Sequence, residues 1–413
     1  MSLYSEVQLK PGENIRKLFP LLRESELSLT YLDSAATAQK PDSVIEAELN
    51  FYKANNANIH RGVYELSERA TTQYDEARVS VQKFLNAKHS SEIIFTSGAT
   101  ASLNLVAHSY ARTFLEKGDE IIVSILEHHA NFIPWQEVAK ATGAVIKFVG
   151  LDSNQTFDLS QYKNLLSPNT KLVAITELSN ALGIRTPLKE IISLAHDVGA
   201  LVVVDGAQGV THGVVDVQDL DADFYAFSAH KLYGPTGVGV LYGKRSLLDK
   251  MPPFLFGGDM IRTVSVEGSE YAESPAKFEA GTPNIAGVAG LKAAVEFMNS
   301  LDRTLVEEHE LKLISELLEV LKNVPGLTTL APNVKHYGAV SFYFDRIHPH
   351  DVAQFLDRDG IAVRAGHHCT QPLHAALGVT ASVRASVGVY STSKDIERLG
   401  DSLLKVSKFF SRK

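Results

Sequence analysis

Lys231 stands in "FSAHKLYGPTG", directly after an aromatic strand-like run and before a glycine-rich turn. Lysine is seldom buried without a function. An amine enclosed by aromatic side chains and glycine-rich backbone holds its proton less tightly and gains Schiff-base chemistry. A surface lysine snorkelling from a sheet edge is the competing reading. The single cysteine of the chain, Cys369, raises a second question. A lone cysteine usually behaves as a small buried hydrophobe, yet this one lies in "RAGHHCTQPL", with Arg364 upstream and His367 and His368 beside it. Nearby cations favour the nucleophilic thiolate. A metal site built from His367, His368, Cys369 and His374 is disfavoured, because adjacent histidines seldom both reach one ion and no second cysteine is available.

Four other stretches carry polar residues with chemical potential. In "TSGATAS", Gly98 and Thr100 lead into a helix whose free N–H groups would hold a phosphate; an ordinary helix cap is the bland alternative. In "LEHHANFIPW", His128 and His129 either bond a neighbouring loop or offer a flat imidazole for stacking on a planar ring. Asp205 closes the aliphatic run "ALVVVD", so its carboxylate needs a cation or donors, and a protonated ring nitrogen would serve. Ser228 and His230 flank the lysine. A phosphate site, a stacking histidine, an acidic partner for a pyridinium nitrogen and a Schiff-base lysine are together the parts of one pyridoxal 5'-phosphate site.

The elements that must position these residues are legible as alternating patterns. "EIIFT" (92–96), "EIIVSI" (120–125), "AVIKFV" (144–149), "KLVAIT" (171–176), "ALVVVD" (200–205), "DFYAFS" (223–228) and "GVGVLYG" (237–243) read as strands. Their near-continuous apolar character suits a mostly parallel, seven-stranded sheet with helices on both faces. Short connections predict that the last two strands depart from parallel. Residues 102–118 and 187–200 have helical spacing. In such an open α/β sheet ligands bind at the carboxyl ends of the strands, where the polar stretches lie.

After about residue 290 the texture changes. An amphipathic helix over 303–326 is followed by strand-like "AVSFYF" (339–344), a helix over 348–360, strand-like "IAVRAG" and "VRASVGV", and a final helix from about Lys394. The prediction is a smaller α+β domain over 291–413 that carries Cys369, beside a large domain over 26–290. The N-terminal segment, 1–25, is expected to pack with the small domain.

Composition bounds the class. A chain of 413 residues exceeds what one core usually spans. With 45% hydrophobic and 21% charged residues it is ordinary globular material. A net charge of -8 argues against nucleic-acid or anionic-membrane partners. The N-terminus lacks the pattern of a signal or transit peptide, and no run approaches the roughly 18 apolar residues of a membrane helix. A cytoplasmic location is expected.

The motifs "YLDSAATAQKP", "NANIHRGVYELS", "LEHHANFIPW", "VVVDGAQG", "SAHKLYGPTGVGVLYG", "KFEAGTPN", "RAGHHCTQP" and "VRAS" together resemble the cysteine desulfurases of the SUF/CSD type, a group also described as selenocysteine lyases. These are fold-type I pyridoxal phosphate enzymes of the class V aminotransferase superfamily. The resemblance covers nearly the whole chain. It implies that Lys231 carries the Schiff base, with Asp205 on the pyridine nitrogen, Gln208 on the phenolic oxygen and His128 stacked on the ring. Ala99, Thr100, Ser228 and His230 would hold the phosphate, joined by Thr282 from the partner subunit of a homodimer. Arg384 and Asn180 would bind the substrate carboxylate, with Arg364, His60 and Arg61 also contacting substrate. Cys369 would attack the sulfur of bound L-cysteine, leaving L-alanine and a persulfide for an acceptor protein in iron–sulfur cluster assembly. Selenocysteine lyase activity on L-selenocysteine is the alternative.

The sequence departs from the family pattern at four positions near the site. Ala99 stands where threonine is common, Ala229 replaces the usual glycine, and Thr370 and His374 replace the commoner alanine and methionine. The compact "GHHC" turn resembles the group whose cysteine sits on a short, ordered loop, so a dedicated sulfur acceptor is expected to dock beside it.

Overall fold

In the computed structural model, which describes residues 11–23 and 29–411, the apolar runs assemble into one seven-stranded sheet. Its strands are β1 (Ile93–Thr96), β2 (Glu120–Ser124), β3 (Val145–Val149), β4 (Thr170–Thr176), β5 (Leu201–Asp205), β6 (Phe224–Ser228) and β7 (Gly239–Gly243). The spatial order is β1-β7-β6-β5-β4-β2-β3. β7 alone runs antiparallel to its neighbours. The expectation that both of the last two strands depart from parallel is therefore corrected: β6 stays parallel to β5. The connection between them holds two short helices, Gly209–His212 and Val217–Leu220, and is long enough for a crossover.

Both faces of the sheet are covered. Val202 and Val204 of β5 enter one apolar cluster, with Ile191 and Ile192 of helix Leu188–Asp197 and Leu291 of helix Ile285–Ser300. Val203 points the opposite way, into a cluster with Leu103 and Trp135. The period-two alternation of strand side chains thus feeds two helix layers, which is why these strands read as continuous apolar runs. The helix expected over 102–118 begins earlier, at Ala99, and ends at Phe114, with a wider π-helical stretch over Val106–Ala111.

A second sheet holds β8 (Leu327–Thr329), β9 (Ala339–Phe344), β10 (Arg364–Gly366) and β11 (Ser382–Ser386), all antiparallel, in the order β8-β9-β11-β10. Helices Arg303–Lys322, Pro349–Arg358 and Ser393–Phe410 cover it through Leu317, Leu356 and Leu403. Asp302 caps the first of them, and Thr392 with Asp395 forms a capping box on the last. "IAVRAG", expected as one strand, is split between two sheets. Ile361–Ala362 pairs in parallel with Thr30–Tyr31, whereas Arg364–Gly366 joins β11.

Position 290 lies within helix Ile285–Ser300. Of the N-terminal segment, residues 1–10 and 24–25 fall outside the described residues. Between them, Gly12 donates to the Val389 carbonyl at 2.9 Å and Arg16 pairs with Asp395 at 3.0 Å. Among the described residues no helix is long and apolar enough to cross a membrane.

Candidate active site

β6 ends at Ser228, and a single 3-10 turn, Ala229–Lys231, places the lysine beyond the carboxyl end of the sheet. Burial pushes the Lys231 amine down to about 8, against the opposing pull of Asp205. Arg384 and Arg364 push the same way as burial, and Cys369 pulls against it. Four groups distant in sequence thus act electrostatically on one amine. No described residue accepts a hydrogen bond from that amine, so it is available for covalent chemistry. Asp205 closes β5, 5% exposed, with one oxygen accepting from the Ala207 N–H at 3.0 Å. Burial raises its proton affinity while the charge of Lys231 lowers it.

The ends of β1 and β6 together form a cradle that could hold a phosphate. Ser228 Oγ accepts from the Ala99 N–H at 2.7 Å, which leaves its own proton free to donate. Gly98, at φ 158°, leads into the helix, and a Cβ on Gly239 would lie 2.4 Å from the Gly98 backbone. The two chains pass so closely that only glycine is accommodated at 239. Thr100 is exposed at this end, and His230 Nδ1 lies 3.3 Å from Thr37 Oγ1. Gln208 donates to the Ala35 carbonyl at 2.8 Å. An unbonded lysine amine, a buried carboxylate, a spare hydroxyl proton and a side-chain-free approach at Gly98 fit a phosphorylated pyridine aldehyde.

His128 caps the next loop, where its Nδ1 accepts from the Ala130 N–H at 3.1 Å. Burial, then the charge of Lys231, drives this imidazole down to about 3, so it is neutral with its proton on Nε2. Glu127, fully enclosed behind it, accepts from Ser124, Thr176 N–H and Asn131. Asn131 in turn accepts from Trp135, so the whole His128 loop is pinned to the sheet.

The second sheet supplies the rest. Arg384 on β11, 1% exposed, donates to the Asn180 carbonyl at 2.9 Å and to Asp33 at 3.1 Å. Its buried Nε has no partner. Asn180, in the loop after β4, donates its amide to the His368 carbonyl at 2.8 Å. His129 N–H donates to the Cys369 carbonyl at 2.8 Å, and Gln371 N–H donates back to His129 Nε2 at 3.1 Å. The cysteine turn, remote from the large sheet in sequence, is thereby bonded onto two of its loops. His368 and Cys369 both adopt left-handed backbone angles, φ 52° and 58°. Two such non-glycine residues cost roughly 1–3 kcal/mol each. Cys369 is half-buried, and Arg364 Nη2 lies 3.9 Å from its sulfur. Burial drives His368 down to about 2, so the expectation of a cationic His368 beside the thiol is corrected. The neighbouring positive charge comes from Arg364.

His60 and Arg61 do not join this cluster. Arg61 pairs with Asp259, and both line a separate cavity of about 600 Å³ bounded also by Glu279, Gly281 and Pro283. Thr282 lies at the same place, its hydroxyl 3.5 Å from Asn58. Within one chain His60 is held on helix Glu65–Phe84, where its N–H donates to Thr71 Oγ1 at 2.9 Å and Ser67 donates to the Asn58 carbonyl at 2.8 Å. Sequence reasoning gave no role to Asp33 or Ser382, whereas of the two readings offered for His129 the bond to a neighbouring loop is the one observed. The only hint was Asp33 in "YLDSAATAQKP", a charge before a run of small residues.

The chain matches the aminotransferase class-V family over residues 30–399. It is 49% identical to a probable cysteine desulfurase of Halalkalibacterium halodurans over 97% of this chain and 98% of that one. A cysteine desulfurase of Pectobacterium carotovorum is 48% identical over 96% and 98%. Among solved structures, the Escherichia coli cysteine desulfurase CsdA superposes with a TM-score of 0.90 at 42% identity, covering 96% of this chain and 98% of the other. An apo cysteine desulfurase of Thermococcus onnurineus NA1 gives 0.92 at 39%, covering 97% and 99%. With the lysine, the buried aspartate and the cysteine turn converging as described, the chain belongs to the class-V aminotransferase family, whose cofactor is pyridoxal 5'-phosphate, and within it to the SUF/CSD-type cysteine desulfurases.

Proposed function

We propose that this enzyme converts L-cysteine to L-alanine and retains the sulfur as a persulfide on Cys369. The observation that carries this reading is Asn180. Its amide holds the cysteine turn through the His368 carbonyl, while its own carbonyl holds Arg384, so nucleophile and substrate anchor share one support.

Lys231 holds the cofactor and afterwards moves the Cα proton; its lowered proton affinity suits an amine that must cycle near neutrality. Asp205 keeps the ring nitrogen protonated. The bound pyridoxal phosphate supplies an electron sink for the carbon from which sulfur departs. Arg384 and Asn180 orient the substrate carboxylate. His128, neutral and protonated on Nε2, covers the ring and donates a hydrogen bond. The Cys369 thiolate attacks the substrate sulfur, the carbon–sulfur bond breaks, and its electron pair stays with the substrate carbon. Protonation of that carbon completes alanine, and the sulfur remains on Cys369 as S–SH. One substrate cysteine and one protein thiol thus give one alanine and one persulfide.

The chain is read as a large cofactor-binding domain, 26–290, and a small domain, 291–413, that carries the nucleophile. It is read further as a homodimer in which His60, Arg61 and Thr282 complete the partner's site. His60 and Arg61 lining one cavity that Lys231 does not line, with Thr282 beside Asn58 of the same loop, supports this. A short turn bonded at three points cannot carry sulfur far, so a sulfur-acceptor protein docks beside Cys369 and passes sulfur towards iron–sulfur cluster assembly. A thiol that must stay free suits the reducing cytoplasm.

The test is the visible spectrum of the purified enzyme before and after L-cysteine, with alanine and sulfide measured in the wild type and in Cys369→Ala. A cofactor band that shifts with cysteine, and alanine production abolished in the variant, is the expected result. Wild-type alanine production by Cys369→Ala overturns the persulfide role.

A further inference from the structure

Behind the cysteine turn lies a buried chain of hydrogen bonds that the reaction itself does not use. His368 Nε2 is 3.0 Å from Ser382 Oγ, and His374 Nε2 is 3.0 Å from the same oxygen. His374 Nδ1 lies 3.1 Å from the Thr370 carbonyl and 3.3 Å from Thr370 Oγ1. Thr370 Oγ1 donates to the His367 carbonyl at 2.8 Å. His368, His374, Ser382 and Thr370 are all 2% exposed or less.

Proton bookkeeping fixes the direction of this chain. A carbonyl only accepts, so His374 must carry its proton on Nδ1. Burial pushes both His374 and His368 down, so each ring is neutral and holds one proton. His374 Nε2 is therefore an acceptor, and the Ser382 hydroxyl donates to it. Ser382 Oγ can then only accept from His368, whose proton sits on Nε2. The remaining atom, His368 Nδ1, is buried without a partner. Reversing the chain would leave an N–H orphaned there, which is rarer than an orphaned lone pair.

We propose that Ser382 and His374 are positioning residues for sulfur transfer: the one-directional chain His368 to Ser382 to His374 to the Thr370 carbonyl locks the His368–Cys369 turn and keeps the thiol beside Arg364. The chain starts and ends on the residues that flank Cys369, so it clamps the cysteine from both sides. It opposes the relaxation of two consecutive left-handed residues. Both Ser382 and His374 act through the turn and touch neither substrate nor cofactor. This inference rests on the reading of Cys369 as sulfur acceptor.

The experiment uses the holoenzyme. In selectively 15N-histidine-labelled protein, His368 is expected as the Nε2–H tautomer and His374 as the Nδ1–H tautomer; the opposite pair overturns the chain. Ser382→Ala is expected to lower kcat about tenfold, the effect of one unsatisfied buried polar group, with KM within twofold and the cofactor band still shifting with cysteine. Amide exchange should quicken over residues 367–375 and not elsewhere. His374→Met alone should also slow turnover, and the double variant should be no slower than Ser382→Ala, because both break one chain. Multiplying losses, or wild-type kcat in Ser382→Ala while Cys369→Ala is dead, overturns the positioning role alone. Full activity in Cys369→Ala overturns instead the sulfur-accepting reading, and the tautomers and the exchange pattern still decide whether the chain holds the turn.

Discussion

Arg364 and Arg384 face each other as register partners on adjacent antiparallel strands of the small sheet. Like charges directly opposite one another destabilise a sheet unless something negative lies between or beside them. Here Arg384 is bonded to Asp33, and Arg364 reaches the sulfur of Cys369. One arginine is thus bonded to a carboxylate and the other lies beside a thiol, and the strand pairing holds the two guanidiniums side by side.

Replacing either arginine should have a distinguishable effect. Arg384→Ala is expected to raise KM for cysteine by about tenfold or more, the loss of a charge-assisted bond, with a weaker spectral response to substrate. Arg364→Ala should leave substrate binding closer to normal and lower kcat by roughly threefold to tenfold, because the guanidinium 3.9 Å from the Cys369 sulfur no longer holds it in place. Steady-state alanine assays over a range of cysteine concentrations check the two.

The amine of Lys231 should form its linkage with added pyridoxal phosphate as a neutral base. Because burial lowers it to about 8, the rate of linkage in cofactor-free protein should climb through pH 8 and not through the 10.5 of a free lysine. Asp205 raises the same amine, so Asp205→Asn should move the midpoint to lower pH. Stopped-flow absorbance across a pH series measures both.

Three histidines at the site are held neutral: burial lowers His128 to about 3, His230 to about 4 and His368 to about 2. Each takes up a proton in the unfolded chain near 6.5 but not in the native one, so their contribution to stability is complete above 6.5 and shrinks as pH falls. A fully buried case such as His368 loses up to about 1.4 kcal/mol per pH unit within that window. The Tm should therefore drop steadily from pH 6.5 to 4, and His368→Gln should flatten the slope even if it lowers the plateau. Calorimetry over that range provides the check.

If His60 and Arg61 serve the partner's site, inactive subunits should rescue one another. Arg61→Ala and Lys231→Ala are each expected to be strongly impaired, whereas a 1:1 mixture after subunit exchange should regain about a quarter of wild-type sites, as random pairing in a two-fold dimer gives. No recovery in mixtures shown to contain heterodimers would place both residues in the site of their own chain.

Much of the site chemistry was written in local sequence. Polar residues at the ends of apolar runs, Asp205 directly after the aliphatic "LVVV" and Lys231 three residues beyond the aromatic "FYAFS", declare themselves because a strand end is where a buried sheet first meets a ligand. The parallel direction of β6 is not legible in periodicity, because direction depends on where the intervening chain packs. "IAVRAG" reads as one strand because its two halves have the same local pattern and differ only in their partners.

The sequence by itself determined the strands, the helix layers and the identity of the groups able to react, since these follow from alternation, burial and side-chain chemistry within a few residues. Only the tertiary structure decided which groups meet. It bonded the cysteine turn to His129 and Asn180, set Arg364 opposite Arg384, joined Ser382 to two histidines and put His60 and Arg61 on a cavity that Lys231 does not line. Those relationships link residues brought close by packing and by strand register, and hydrogen-bond geometry at about 3 Å is fixed only when both partners are in place.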